Sequence, residues 1–252
     1  MSGRWRDLGV RVASAAVMLI VAELAWLAGP VVFSGLVAAV CGAMTWELLR
    51  LQGAAGRAPL VGGIAAAALL WIEGQWQPVF GFLSLVPLGL LALVFVPLVP
   101  RDRRVTLLYG FAILAAGAVV IGMTGQPDDR RLLLLLLGVV IATDIAGYFA
   151  GRLFGGPKFW PRISPKKTWS GAIAGWLASA VLVTAVSGSL LWGLGAIFMS
   201  FAAQMGDIAE SAVKRRAGVK DASNLIPGHG GLLDRFDGLV GASLVLTVIY
   251  LA

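Results

Sequence analysis

The segment from Ser211 to Asp237 reads SAVKRRAGVKDASNLIPGHGGLLDRFD and concentrates side chains that can bind phosphates and metal ions in an otherwise apolar chain. Two further carboxylates, Asp207 and Glu210, lie just upstream. Cations for phosphates, carboxylates for a divalent metal and glycines that let a ligand approach the backbone are the groups used in phosphoryl transfer. In this segment the cations are Lys214, Arg215, Arg216, Lys220 and Arg235, the carboxylates are Asp221, Asp234 and Asp237, and residues 227–231 read PGHGG.

The acidic residues occur in two pairs with the same spacing. Asp207 and Glu210 are three residues apart and therefore share a helix face, with Lys214 one turn beyond. Asp234 and Asp237 repeat this spacing just before the last apolar stretch. Two such pairs can converge on Mg²⁺, a hard cation that takes oxygen ligands. The alternative is that they cap helices and form ion pairs with cations of the same segment.

Asp144 and His229 are the other candidates for chemistry. Asp144 lies in IATDIAGYF, toward the inner end of an apolar stretch, where an ionised carboxylate costs at least ~2.5 kcal/mol. A metal or substrate role is expected, and pairing with Arg152 or helix capping is the alternative. His229 could donate to a phosphate or transfer a proton, or serve as a turn residue. Because this is the only histidine and Cys41 the only cysteine, a zinc site is excluded.

A second polar segment, residues 151–170, reads GRLFGGPKFWPRISPKKTWS. It mixes glycines, cations and hydroxyls, and this mixture suits a polyphosphate, which takes charge-assisted hydrogen bonds and backbone N–H donors. The alternative is an anchor whose cations orient the chain and touch anionic lipid headgroups.

The composition predicts an all-α, polytopic integral membrane protein. Of the 252 residues, 59% are hydrophobic and 13% charged, and the mean hydropathy is +0.88, whereas about a quarter of the residues in a soluble domain are charged. We expect about nine transmembrane helices, near residues 9–28, 30–46, 59–76, 78–98, 107–124, 132–150, 171–186, 188–206 and 238–252.

The basic residues predict the orientation of these spans. With the N-terminus in the cytoplasm, 18 of the 20 Lys and Arg fall in inner loops, and only Arg130 and Arg131 fall outside. Orientation in a bilayer, rather than binding to nucleic acid, therefore explains the net charge of +7. The polar loops 151–170 and 207–236 are then both cytoplasmic and can build one active site. We expect helices 1–5 in an N-terminal domain, 1–131, and helices 6–9 in a catalytic domain, 132–252.

The order of motifs in the polar segments is similar to that of the phosphatidate cytidylyltransferases, or CDP-diglyceride synthases. In that family S-x-x-K-R, a K-D pair, P-x-H-G-G and D-R-x-D recur, and here they begin at Ser211, Lys220, Pro227 and Asp234. The chain also has the family's Asp followed by G-Y and G-R, at residues 144–152, and S-P-x-K-T-W, at residues 164–169. The resemblance covers about residues 140–240, whereas the N-terminal half matches only in being polytopic. Where the family often has Glu or Gln after the Trp, this chain has Ser170.

This resemblance implies transfer of cytidylyl from CTP to phosphatidic acid, giving CDP-diacylglycerol and pyrophosphate, at the cytoplasmic face of a bacterial-type inner (plasma) membrane. The implied cofactor is Mg²⁺, with a second metal or a monovalent ion left open. The implied partners are CTP, phosphatidic acid and membrane lipid, without nucleic acid, and a homodimer is left open. The metal ligands carried over are Asp144, Asp207, Glu210, Asp234 and Asp237; the catalytic residues are Asp207, Lys220, Asp221, His229, Asp234 and Asp237; the substrate-binding residues are Ser164, Lys166, Lys167, Thr168, Ser211, Lys214, Arg215 and Arg235.

Two other classes of protein fit part of the pattern. A transporter or channel with Asp144 as an intramembrane ion ligand explains the hydropathy but not the carboxylates and glycines clustered on one side. A related enzyme acting on another lipid phosphate or nucleotide, such as an archaeal-type lipid cytidylyltransferase or a polyprenol kinase, is the second alternative. The pattern from Ser211 to Asp237 argues against both.

Overall fold

The computed structural model describes residues 2–76, 85–124 and 129–251, and these residues form nine α-helices and one two-stranded β-hairpin. The helices are α1 (Ser2–Leu27), α2 (Pro30–Leu51), α3 (Ala58–Trp76), α4 (Leu85–Phe95), α5 (Arg103–Gly122), α6 (Asp129–Leu153), α7 (Trp169–Ser187), α8 (Leu190–Ala217) and α9 (Leu233–Leu251). The strands are β1 (Lys158–Trp160) and β2 (Ser164–Thr168), which are antiparallel.

The helices confirm an all-α membrane protein at the level of fold class. Five of them, α2, α3, α5, α6 and α7, are long and apolar enough to cross a bilayer, and Val12–Leu27 and Leu85–Leu98 are shorter apolar helices. Helices suit this environment because they satisfy their own backbone hydrogen bonds where water is absent. The count of about nine spans goes beyond this finding and stays a prediction. Part of the expected fourth span, residues 78–84, lies outside the described residues.

One compact unit comprises residues 1–125 together with 217–236. Within it α2 packs closely on α3, because a Cβ on Gly42 would lie 2.6 Å from the carbonyl oxygen of Gly63. Small residues at such contacts let the backbones of membrane helices approach each other. The side chains of Leu48, Leu70 and Ile113 are fully or almost fully buried in this unit.

The second compact unit comprises residues 126–216 together with 237–252. Hydroxyl groups join three of its helices: Thr143 Oγ1 on α6 lies 2.6 Å from Ser200 Oγ on α8 and 3.0 Å from Ser179 Oγ on α7. Such buried polar contacts hold membrane helices together where the hydrophobic effect between them is weak. The units are defined by packing, so the expected functional division at residue 131 stays a prediction.

The polar segment 151–170 is more ordered than a loop. Its first residues extend α6 to Leu153, and the rest forms the β1–β2 hairpin, in which Trp160 pairs with Ser164 and Lys158 with Thr168. Thr168 then caps α7, because its Oγ1 accepts a hydrogen bond from Gly171 N at 3.2 Å. The hairpin is a correction to a purely helical prediction.

Helix α8 continues beyond the predicted end of the eighth span at residue 206. It runs on to Ala217 through ESAVKRR, a run dominated by good helix formers whose cations fall in the last turn. The predicted loop 207–236 is therefore corrected to a shorter connecting segment, residues 218–232, between α8 and α9. This extension places Asp207 and Glu210 on a rigid helix instead of a loop.

Candidate active site

Three carboxylates from α8 and α9 come together in the second unit. One oxygen each from Asp207, Glu210 and Asp237 lies within 4.8 Å of the others. The close contact of the two helices depends on Gly206, since a Cβ there would collide with the Asp237 carbonyl oxygen and lie 3.1 Å from Gly241 N. Asp207 and Glu210 share a face of α8 through their three-residue spacing. Carboxylates from the two predicted pairs thus converge, and three of the five predicted metal ligands take part. Asp207 and Glu210 lie within α8 instead of at its predicted end.

Asp237 lies in a position where a negative charge is unfavourable. This residue lies at the start of α9, ahead of the expected span 238–252. Burial, followed by the negative charges of Asp207 and Asp144, raises its pKa to about 7, although the Gly238 N–H and Lys214 act in the opposite direction. A carboxylate in such a position is stabilised by a bound cation. The donors are all oxygens, which fits a hard divalent ion such as Mg²⁺.

Two lysines make ion pairs with this cluster. Lys167 Nζ, on β2, lies 2.5 Å from Asp207 Oδ2, and Lys214 Nζ lies 2.7 Å from the fully buried Glu210 carboxylate one turn away on α8. Ser211 Oγ also donates to Asp207 Oδ1 at 3.3 Å. The hairpin therefore brings a predicted phosphate-binding lysine to a predicted metal ligand.

A cavity of about 430 Å³ lies beside the hairpin. Asp144, Lys166, Lys167 and Thr168 line it together with Gly147, Tyr148, Gly151, Arg152 and Phe159. A volume of this size is typical of small-molecule sites with a few convergent polar groups on an apolar wall. One predicted metal ligand, Asp144, and three predicted substrate-binding residues, Lys166, Lys167 and Thr168, thus line the same cavity.

Ser164 and Ser170 have different places in the hairpin region. Ser164 begins β2 opposite Trp160 and is half-buried. Ser170 Oγ lies 3.0 Å from Thr168 Oγ1 and donates to Gly155 O at 2.5 Å. This serine, which stands where the family pattern often has Glu or Gln, thus ties the first turn of α7 to the residues that follow α6.

The connecting segment belongs to the first unit and carries Lys220, Asp221 and His229. Lys220 and Asp221 are exposed, and His229 Nδ1 lies 2.6 Å from Ser14 Oγ on α1. Arg235, on the first turn of α9, donates from Nε to His229 O at 2.9 Å.

Asp234 makes contacts that differ from those predicted for a metal ligand. Its Oδ2 accepts hydrogen bonds from Ala222 N at 2.8 Å and Gly231 N at 2.7 Å. These bonds tie the two ends of the connecting segment to the first turn of α9. The carboxylate therefore orders this segment, whatever else it binds.

Sequence reasoning missed Glu47, near the end of α2. The carboxylate is fully buried and accepts hydrogen bonds from Ser223 Oγ, Leu232 N and Leu233 N. The only available signal was an acidic residue at the end of an apolar stretch. Its partners lie more than 170 residues away, so no local pattern could have indicated them.

Comparisons with known proteins were made for the whole chain. The profile of the Cytidylyltransferase family matches residues 9–252. A phosphatidate cytidylyltransferase from Brucella suis biovar 1 (strain 1330) is 51% identical over 130 residues, which are 48% of this chain and 47% of the relative. This chain therefore matches about half the length of that relative.

Two further relatives match a larger share of this chain. A phosphatidate cytidylyltransferase from Rickettsia bellii (strain RML369-C) is 32% identical over 197 residues, which are 72% of this chain and 83% of the relative. Another from Staphylococcus epidermidis (strain ATCC 12228 / FDA PCI 1200) is 34% identical over 205 residues, 75% of this chain and 78% of the relative.

Proposed function

The chain belongs to the cytidylyltransferase family, and we propose that it transfers a cytidylyl group from CTP to phosphatidic acid, giving CDP-diacylglycerol and pyrophosphate. The family match confirms the resemblance read from the motifs. The observation that carries the proposal is the cluster of Asp207, Glu210 and Asp237 with Lys167 paired to it. Carboxylates and cations in contact are suited to two reactants that both carry phosphate.

In this reaction a phosphate oxygen of phosphatidic acid attacks the α phosphorus of CTP. The new P–O bond forms as the bond from the α phosphorus to the bridging oxygen breaks, and that oxygen leaves with pyrophosphate. Lys166 and Lys167, with Ser164 and Thr168, bind and orient phosphate groups along the hairpin. Held in line, the reactants meet a much lower entropic barrier.

The metal in this proposal is Mg²⁺, held by Asp207, Glu210 and Asp237, with Asp144 and Asp234 as the other proposed ligands. Bound there, Mg²⁺ would offset the negative charge of the reacting phosphates. The raised pKa of Asp237 supports a cation at this position, because the carboxylate is buried beside other negative charges. A second metal or a monovalent ion is left open.

The remaining predicted residues are assigned to the same reaction by their place in the motifs. Ser211, Lys214, Arg215 and Arg235 bind phosphates. Lys220, Asp221 and His229 act with Asp234 in catalysis. These roles rest on the order and spacing of the motifs in the sequence.

The proposal places the protein in a bacterial-type inner membrane with about nine spans. The N-terminus and the site face the cytoplasm, where CTP is available. Support comes from the distribution of the 20 Lys and Arg, of which 18 fall in the predicted inner loops. Nucleic acid is not a proposed partner, and a homodimer is left open.

The experiment is a transfer assay with purified protein in detergent, phosphatidic acid and CTP labelled at the α phosphorus. We expect label in the extracted lipid only when Mg²⁺ is present, and a loss of at least a hundredfold in Asp237→Asn, because an active-site charge is removed. Protein that is shown to be folded but leaves the lipid unlabelled would refute the proposal. Label in a lipid other than phosphatidic acid would favour the related enzyme.

A further inference from the structure

Glu47 receives three hydrogen bonds from a distant part of the chain. Its Oε1 accepts from Ser223 Oγ at 2.5 Å and from Leu232 N at 3.0 Å, and its Oε2 accepts from Leu233 N at 2.7 Å. The side chain has no exposed surface. A buried carboxylate is costly without partners, so the three donors are what stabilise it in this position. Two of them are backbone groups at the start of α9, where negative charge is also favoured by the helix dipole.

The glycine at 231 fits the same contact. A Cβ there would lie 2.8 Å from Glu47 Cδ and 2.9 Å from Oε2, closer than real side chains approach. The last glycine of the PGHGG turn therefore leaves room for the carboxylate. Gly231 of the PGHGG motif is thus in close contact with Glu47, which lies outside any of the recognised motifs.

Glu47 and Asp234 together fix both ends of the connecting segment. Asp234 Oδ2 accepts from the backbone of residues 222 and 231, and Glu47 accepts from residues 223, 232 and 233. Between these ends, Ile226 and Gly230 exchange backbone hydrogen bonds of 2.8 and 3.1 Å. The residues proposed for catalysis on this segment are carried by a backbone that these two carboxylates hold.

We propose that Glu47 is a positioning residue that holds the connecting segment in the conformation needed for the transfer; the role in turnover rests on the proposed function. Glu47 does not itself bind substrate. It acts through the backbone that carries Lys220, Asp221 and His229.

The charge and shape of the carboxylate both matter. An amide in its place has one acceptor oxygen and one NH₂ donor. If the NH₂ faces Leu233 N, it opposes that backbone donor. If the NH₂ faces Ser223 Oγ and Leu232 N, the serine hydroxyl can turn to accept, but the Leu232 N–H faces another donor. Either orientation leaves a buried backbone N–H without its acceptor. Glu47→Gln therefore loosens the segment with almost no change of volume.

The test compares Glu47→Gln with Glu23→Gln. Glu23 makes a good control because it is an exposed glutamate on α1 within the same compact unit. Ser223→Ala is a milder second variant that removes one donor to Glu47, and it serves if Glu47→Gln does not fold. Hydrogen exchange of peptides covering residues 217–236 reports the order of the segment directly, without reference to activity. Steady-state kinetics per folded protein reports turnover and the KM for CTP and for phosphatidic acid.

We expect faster exchange of residues 217–236 in Glu47→Gln and Ser223→Ala, and wild-type exchange in Glu23→Gln. We also expect kcat/KM to fall about tenfold or more in Glu47→Gln, with a raised KM for at least one substrate, since a lost charge-assisted bond corresponds to about this factor. A role in stability alone would lower the active fraction and leave both KM values unchanged.

Wild-type exchange in both Glu47→Gln and Ser223→Ala would overturn the positioning role, as would faster exchange with unchanged kinetics. An inactive wild-type protein would instead refute the proposed function and, with it, the catalytic consequence of Glu47. The exchange arm separates these two failures because it does not depend on substrate.

Discussion

Gly206→Ala is a small substitution that we expect to damage the site. Gly206 lies on α8 where it touches the start of α9, and an added Cβ would collide with the carbonyl oxygen of Asp237. It would also lie 3.1 Å from both Asp237 C and Gly241 N. All of these contacts are backbone atoms, which cannot turn aside as a flexible side chain can. The helices must therefore separate, and Asp237 must move with its backbone.

The expected magnitude follows from two opposing effects. Overpacking of this kind costs about 1–3 kcal/mol, whereas replacing glycine in a helix gains up to about 1 kcal/mol. The net loss of stability is therefore about 0–3 kcal/mol, which is less than the stability of about 5–15 kcal/mol typical of a folded protein, so the protein remains folded. A displacement of about 1 Å at a reacting site can cost about a hundredfold in rate. We thus expect a loss of activity much larger than the loss of stability.

Cytidylyl transfer at a series of Mg²⁺ concentrations, together with thermal unfolding in detergent, measures both effects. Gly195→Ala is the matched control, because Gly195 is on the same helix and an added Cβ there meets nothing within 4 Å. This control should have wild-type activity and a stability equal to or slightly above that of the wild type. Wild-type kcat and an unchanged Mg²⁺ requirement in Gly206→Ala would show that the contact between α8 and α9 does not position Asp237.

Three further predictions concern charge at the site. Lys166→Ala and Lys167→Ala should each raise the KM for CTP or phosphatidic acid, because each removes a cation from the cavity; unchanged kinetics in both single variants and in the double variant would contradict this assignment. Removal of divalent metal with a chelator should abolish cytidylyl transfer, and added Mg²⁺ should restore it. Asp207→Asn should need more Mg²⁺ than the wild type for half-maximal rate. Full activity in the presence of the chelator would exclude a role for a metal ion. The Mg²⁺ concentration for half-maximal rate should rise as the pH falls below about 7, because the raised pKa of Asp237 leaves this carboxyl protonated there and the proton competes with the metal. Any residual activity of Asp237→Asn should lack this pH dependence. An equally strong pH dependence in Asp237→Asn would assign it to another group.

The sequence was sufficient to predict the fold class and three members of the acidic cluster. Apolar stretches and their lengths determine helices in a membrane because other backbone conformations leave polar groups unsatisfied. The three-residue spacing of Asp207 and Glu210 determines that they share a helix face. Their pairing with Asp237 was predicted because both pairs occur at the ends of apolar stretches.

The hairpin and the full length of α8 were not predicted. Prolines and glycines between residues 151 and 165 indicate a loop, whereas the strand pairing of Lys158 with Thr168 is a contact ten residues apart that no local signal defines. The expected end of α8 at residue 206 followed from the loss of hydrophobicity, but the residues that follow still favour a helix. Hydropathy reports the extent of the apolar part of a helix and not the end of the helix itself.

Glu47 shows what a single sequence cannot indicate. It lies in the half of the chain in which no family motif was recognised, and its partners are at residues 223, 232 and 233. Its importance depends on the fold bringing α2 to the start of α9. Asp234 is a similar case, because its backbone partners at residues 222 and 231 appear only once the connecting segment has folded.

Transfer of the cytidylyl group from CTP to phosphatidic acid can be measured directly with CTP labelled at either of two phosphorus atoms. The purified protein is incubated with phosphatidic acid, Mg²⁺ and CTP that carries one label at the α phosphorus or another at the γ phosphorus. For a cytidylyltransferase, we expect the α label to enter the lipid and the γ label to be released as pyrophosphate. In Asp237→Asn we expect neither labelled lipid nor labelled pyrophosphate. Transfer of the γ label to lipid would show a kinase, and the absence of both transfers from folded wild-type protein would contradict the account.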